Sequence, residues 1–144
     1  MTVDCEAQMK ELVIDALTDN LNTVIDFVDE QLEAADCSMK TQMQINVAVE
    51  EIFVNIAHYA YAPDTGSATI RVAVDGDPAV ARIMFLDSGV PYNPLEKTDP
   101  DVTSSLAERQ IGGLGIYLVK KTMDQVLYEY SEGQNILTLE KKLN

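Results

Sequence analysis

Up to residue 60 the apolar residues of this chain keep a helical spacing, and beyond it they fall into β-prone segments; no other feature limits the fold as much. Leu21, Ile25, Val28 and Leu32 recur every three to four positions, while Asp26, Asp29, Glu30 and Glu33 take the other side. This pattern predicts an amphipathic helix after a short extended lead at 12–17, with Thr18 and Asp19 as its N-cap. A second helix is expected over 40–60, with Ile45, Val49, Ile52 and Ile56 as its stripe and Pro63 closing it, behind the polar hinge Asp36-Cys37-Ser38. Segments 68–74 and 79–86 flank the turn signal Asp75-Gly76-Asp77-Pro78, and 125–130 and 135–141 flank Ser131-Glu132-Gly133-Gln134, so each pair reads as an antiparallel hairpin. With a further helix at 115–123, the expected fold is α+β: two layers, a mainly antiparallel sheet of four strands covered on one face by helices. In the lead, Met9, Leu12 and Ile14 suit either a subunit interface or the core.

Composition removes several functions. At 144 residues the chain is expected to form one domain, 1–144, and 24 Asp plus Glu against 10 Lys plus Arg give a net charge of -14. Such a surface repels a phosphate backbone or an anionic membrane, so direct nucleic-acid or membrane partners are not expected. His58 is the single histidine, and Cys5 and Cys37 stand far apart, which leaves no zinc constellation of the usual spacing; a metal, if used, is held by oxygen. No apolar run approaches the ~18 residues of a membrane span, and Met1-Thr2-Val3-Asp4-Cys5-Glu6 lacks the basic start of a signal peptide, so the chain reads as cytoplasmic.

One stretch fits no element. Between Gly89 and Gly115 neither period is sustained, and Pro91, Pro94 and Pro100 fall there with Gly89, Gly112, Gly113 and Gly115. A structureless loop longer than ~12–15 residues inside a compact domain points to a functional lid, here about 90–112.

Three places can carry chemistry. On the second helix, Glu51, Asn55 and His58 fall on one strip at the border of the apolar face. A carboxylate and an amide side by side suit an oxygen-ligated Mg2+, with Asn55 giving a carbonyl oxygen and Glu51 free to accept a proton; a solvated helix flank would look the same. His58 reads as a packing or hydrogen-bonding residue. The strand Arg82-Ile83-Met84-Phe85-Leu86 runs into Asp87-Ser88-Gly89. An aspartate there is either a turn former or a carboxylate that accepts a hydrogen bond from an exocyclic amine such as that of adenine. The glycines of Ile111-Gly112-Gly113-Leu114-Gly115-Ile116 open a helix, where exposed N–H groups can cradle phosphate, although glycine-rich loops before helices are common. Neither the Rossmann nor the Walker A arrangement is present, so a nucleotide site here needs another design.

The order Glu-x-x-x-Asn on a helix, Asp-x-Gly after a strand, a long lid, then Gly-x-Gly opening a helix resembles the Bergerat-fold ATPases, the GHKL group of gyrase, histidine kinases and MutL, over residues 12–143. Within that group, Ala48-Val49-Glu50-Glu51-Ile52-Phe53-Val54-Asn55 and Gly113-Leu114-Gly115-Ile116 look like the anti-sigma factor serine kinases of bacteria. The resemblance implies ATP and Mg2+ as cofactors. It implies that Glu51 is the general base, that Asn55 coordinates the metal, and that Asp87 binds the adenine amine with Gly89 letting the base approach. It also implies that the backbone of Gly113, Leu114 and Gly115 touches the phosphates and that Arg109, in the lid, reaches the terminal phosphate. The pattern departs from the family at Tyr59, where a histidine is common, and in a lid two residues longer between Arg109 and Gly113. The implied function is an ATP-dependent serine kinase that phosphorylates an anti-anti-sigma protein of the STAS type and, in its other state, sequesters an RNA polymerase sigma factor, working as a homodimer. The alternatives are a nucleotide-gated protein-binding module without kinase activity and a stand-alone histidine-kinase-like ATPase domain.

Overall fold

The computed structural model describes residues 9–76, 78–96 and 114–143. In chain order these form β1 (Lys10–Asp15), α1 (Leu21–Ala34), α2 (Met39–Asn55), β2 (Ser67–Asp75), β3 (Val80–Asp87), α3 (Leu114–Thr122), β4 (Gln125–Ser131) and β5 (Gln134–Lys142). The sheet order is β1-β2-β3-β5-β4, with every neighbouring pair antiparallel. Both expected hairpins are present, β2 with β3 and β4 with β5. The sheet has five strands rather than four, because the extended lead pairs along β2, with Leu12 opposite Ile70 and the exposed ion pair Arg71–Glu11 at 2.7 Å tying the two strands. Leu12 and Ile14 are partly buried and pack against the core.

The helices cover one face. Alternate residues of the strands, Ile70 and Val72, Ile83 and Phe85, Leu137 and Leu139, meet the fully or nearly fully buried Val49, Ile52 and Phe53 of α2 and Ile116 and Val119 of α3. In α1 the buried stripe is Val24, Val28 and Leu32, with Leu21 and Ile25 only partly buried, so the face is turned slightly from the expected one. The expected Thr18 and Asp19 cap is also displaced. Thr18–Asn20 is a 3-10 turn, α1 follows Asn20, and the Asn20 side chain makes no cap bond but donates from Nδ2 to the Asp15 carbonyl at 2.9 Å. The start of α2 is capped from inside the polar hinge, where the Ser38 hydroxyl accepts from the Thr41 N–H at 3.3 Å. At its other end α2 widens into a π turn, Ile56–Ala60, which carries the helical path to the expected limit.

Candidate functional site

Inward positions on β3 are the odd numbers Ala81, Ile83, Phe85 and then Asp87, so the strand that fills the core ends by aiming a carboxylate at it. Asp87 is only 6% exposed. Its Oδ1 accepts from the Gly89 N–H at 2.9 Å and from Asn135 Nδ2 at 2.9 Å, while Oδ2 has no hydrogen bond within the described residues. Asp87 and Asn55 line the same cleft between α2 and the sheet, with Ile52, Phe85 and Leu137 as apolar walls and Tyr128 beside them. An apolar slot with a few convergent polar groups is the usual form of a small-molecule site.

Asn55 lies in the first cleft-facing turn before the π turn. Its Nδ2 is buried without a hydrogen-bond partner, so the amide is not anchored in one orientation and rotation presents Oδ1 instead. A single protein oxygen, completed by phosphates and water, fits the way Mg2+ is held in nucleotide sites. Among the described residues no group of three or more His, Cys, Asp or Glu is arranged to hold a metal.

Glu51 stands one turn earlier on α2, half-buried, and its carboxylate lies directly on Gly115 in the first turn of α3. A Cβ at 115 would occupy the carboxylate's place. The seat is electrostatically favourable, since the first turn of a helix carries partial positive charge. At Gly89 the space a Cβ would take is filled by the Ala60 carbonyl, and the neighbouring Val90 N–H donates to that carbonyl at 2.9 Å. This contact closes the strand exit onto the π turn.

His58 is exposed on the π turn, edge-on to Tyr59 with ring centroids 5.9 Å apart, and does not line the cleft. Changing the helical pitch after Asn55 takes it off the Glu51 and Asn55 strip. Leu114 begins α3. Arg109, Gly112, Gly113 and most of the expected lid at 90–112 lie outside the described residues.

Asn135 is the site residue that sequence reasoning missed. It opens β5 opposite Asp87 and is 6% exposed. Its Nδ2 donates to Asp87 Oδ1 and to the Val90 carbonyl, each at 2.9 Å, and its Oδ1 accepts from the Tyr92 N–H at 3.0 Å and from the Tyr128 hydroxyl. The signal was available: Asn135, Leu137 and Leu139 share the inward face of β5, and an amide among leucines asks for buried partners.

The chain belongs to the histidine kinase-like ATPase domain family, whose model matches residues 14–141. It is similar to the serine-protein kinase RsbW of Bacillus mycoides, 31% identical over 97 residues, which is 65% of this chain and 59% of that relative. The serine/threonine-protein kinase BtrW of Bordetella bronchiseptica is 26% identical over 102 residues, 71% of each chain. The chain thus spans less than two thirds of the RsbW relatives it matches. Among solved structures, the RsbU and RsbW domains of Rv1364c from Mycobacterium tuberculosis share the fold with a TM-score of 0.64 at 19% identity, over 93% of this chain and 32% of that one. The SiaB-SiaC complex from Pseudomonas aeruginosa follows at 0.58 and 16%, over 98% and 95%. The α+β fold expected from the sequence is therefore the fold of the RsbW-like and related ATPase domains.

Proposed function

We propose that this chain is an ATP-dependent protein serine kinase whose acceptor is a STAS-type anti-anti-sigma protein, and that it also binds an RNA polymerase sigma factor. A single domain over 1–144, a lid at 90–112, a homodimer and a cytoplasmic setting belong to the same reading. The observation that carries it is the convergence of Asp87 and Asn55 on one cleft, with Glu51 at the adjoining start of α3.

In this reading Asp87 Oδ2 accepts from the exocyclic amine of adenine, since Oδ1 is already saturated by Gly89 and Asn135. Asn55 would hold Mg2+ through its amide oxygen, and the ion would neutralise charge on the phosphates. The backbone of Gly113, Leu114 and Gly115 approaches the phosphates, and Arg109 meets charge developing at the terminal one. Glu51 takes the proton of the acceptor hydroxyl as its oxygen bonds to the γ-phosphorus; the bond from that phosphorus to the bridging oxygen breaks and ADP leaves with the electron pair. The names of the RsbW and BtrW relatives support a serine or threonine acceptor. An exposed apolar ridge on α2, in line with Glu51, supports a protein rather than a small molecule as its bearer.

Calorimetric titration with Mg2+-ATP, together with transfer of labelled γ-phosphate to a STAS-type protein, tests the assignment. Glu51→Gln is expected to keep ATP binding and lose transfer by at least ~100-fold, and Asp87→Asn to lose ATP affinity. Undiminished affinity in Asp87→Asn would move the adenine contact elsewhere. A second reading, the nucleotide-gated binding module, draws on the place of Glu51 against Gly115, a seat that a purely capping carboxylate would also take. Absence of transfer by the unmodified protein would select it.

A further inference from the structure

The four hydrogen bonds of Asn135 leave no choice about its orientation. Tyr92 N–H can only donate, the Val90 carbonyl can only accept, and a flipped amide would face donor to donor and acceptor to acceptor. The NH2 end therefore points at Asp87, and the oxygen at Tyr92 and Tyr128. This has a consequence for Asp87. With one proton from Asn135 and one from the Gly89 backbone, Oδ1 is fixed as a doubly bonded acceptor, and the carboxyl plane is set with Oδ2 remaining for the cleft.

We propose that Asn135 is a specificity-determining positioning residue: through Asp87 it fixes an acceptor in the cleft and so selects a purine bearing a 6-amino group over one bearing a 6-oxo group. The inference rests on the nucleotide reading above and adds to it the residue that enforces the choice of base. A 6-oxo group brings a second acceptor against Oδ2, and the pair is left without a proton between them. Were Asp87 free to rotate, its acceptor could swing away from the 6-position and the choice would be lost. Asn135 denies it that freedom, because the two N–H groups held on Oδ1 fix the plane of the carboxyl group. The Tyr128 hydroxyl, bonded to the amide oxygen, polarises the amide and strengthens its N–H donors. Tyr92 and Val90 place the same amide at the root of the chain segment leaving β3, so the base contact and that segment share one support.

The test compares Mg2+-ATP with Mg2+-ITP, which differ at the 6-position, by calorimetry on the full chain and on Asn135→Leu and Tyr128→Phe. The unmodified protein is expected to prefer ATP. Asn135→Leu should lower the ATP-to-ITP affinity ratio by about tenfold or more, chiefly by weakening ATP, and Tyr128→Phe should lower it a few-fold. A role limited to holding the fold would weaken both nucleotides together and leave the ratio alone. Tyr128→Phe removes one half-buried hydroxyl and keeps the ring, so it carries the test where Asn135→Leu does not fold. An unchanged ratio in the variants that fold overturns this inference while the kinase reading stands. Failure of the unmodified protein to bind ATP overturns both.

Discussion

Asp29 of α1 and Asn46 of α2 meet at the helix interface through a long 3.4 Å bond from Asn46 Nδ2 to Asp29 Oδ2, and two acceptors beside it, Asp29 Oδ1 and Asn46 Oδ1, are buried without a donor. Burial raises the Asp29 carboxyl above its ordinary range by more than hydrogen bonds from Asn46 and Gln42 lower it, and Glu33 and Asp26 add to the rise. The folded chain therefore holds this proton more tightly than the unfolded chain. Well below the ordinary carboxylate range both states are protonated and the site costs nothing; as pH rises through the raised value the folded state loses stability relative to the unfolded one. Asp29→Asn removes the charge and supplies a donor beside Asn46. It should raise the midpoint of thermal unfolding by a few degrees at pH 7, with the gain shrinking as pH falls through the carboxylate range. A scan in which the gain is equal at acid and neutral pH would show that the charge is not its source. Single residues of the candidate site were legible to different degrees for similar reasons. Asp87 alone reads equally as a turn former and Asn55 alone as a helix flank, and it is the order in which they occur, resembling a known family, that marks them. Asn135 is one amide in an apolar strand, and its importance depends on Asp87, Val90, Tyr92 and Tyr128 arriving from elsewhere.

Among elements, the exit from β3 is held most closely by α2 and its π turn. Ser88 N–H donates to the Tyr61 hydroxyl at 2.8 Å, that hydroxyl donates to the Ser67 carbonyl at 2.6 Å, and Gly89 lies against the Ala60 carbonyl. Gly89→Ala forces backbone against backbone, where no rotamer can relieve the overlap, and overpacking of this kind costs about 1–3 kcal/mol. Urea unfolding should show that loss, and Asp87, two residues away, should lose ATP affinity with it; a variant as stable as the parent would mean that the π turn yields. Helix existence and both hairpins were readable because their signals are local: apolar spacing, and turn residues between β-prone runs. The cap of α1 was misplaced because Thr18 and Asp19 resemble a cap in sequence, whereas the chain leaving β1 needs a 3-10 turn to reach the helix layer. The π turn was not readable either, and it alone separates His58 from the strip of Glu51 and Asn55.

Across the whole molecule, Met39, Met43 and Val47 are 78%, 62% and 54% exposed at four-residue steps along α2, and the next step is Glu51. On the kinase reading proposed above, this exposed apolar ridge leads to the candidate base and offers a contact surface to the protein that brings the hydroxyl. Val47→Asp should therefore cut transfer to a protein acceptor at least several-fold while Mg2+-ATP affinity stays within twofold, read by phosphate transfer and calorimetry on the same sample. Equal transfer by the variant would place the acceptor elsewhere. The chain by itself determined which segments are helices and strands and that helices cover one face of the sheet, because periodicity acts over a few neighbours, while the order of motifs that resembles a known family marked Glu51, Asn55 and Asp87 as the residues to watch. Only the tertiary structure decided that β5 enters between β3 and β4, which sets Asn135 opposite Asp87, and that α3 delivers Gly115 beneath Glu51. Those pairings join residues more than forty positions apart, and they are selected by burial of a common apolar face and by satisfaction of buried hydrogen bonds, quantities that no local pattern contains.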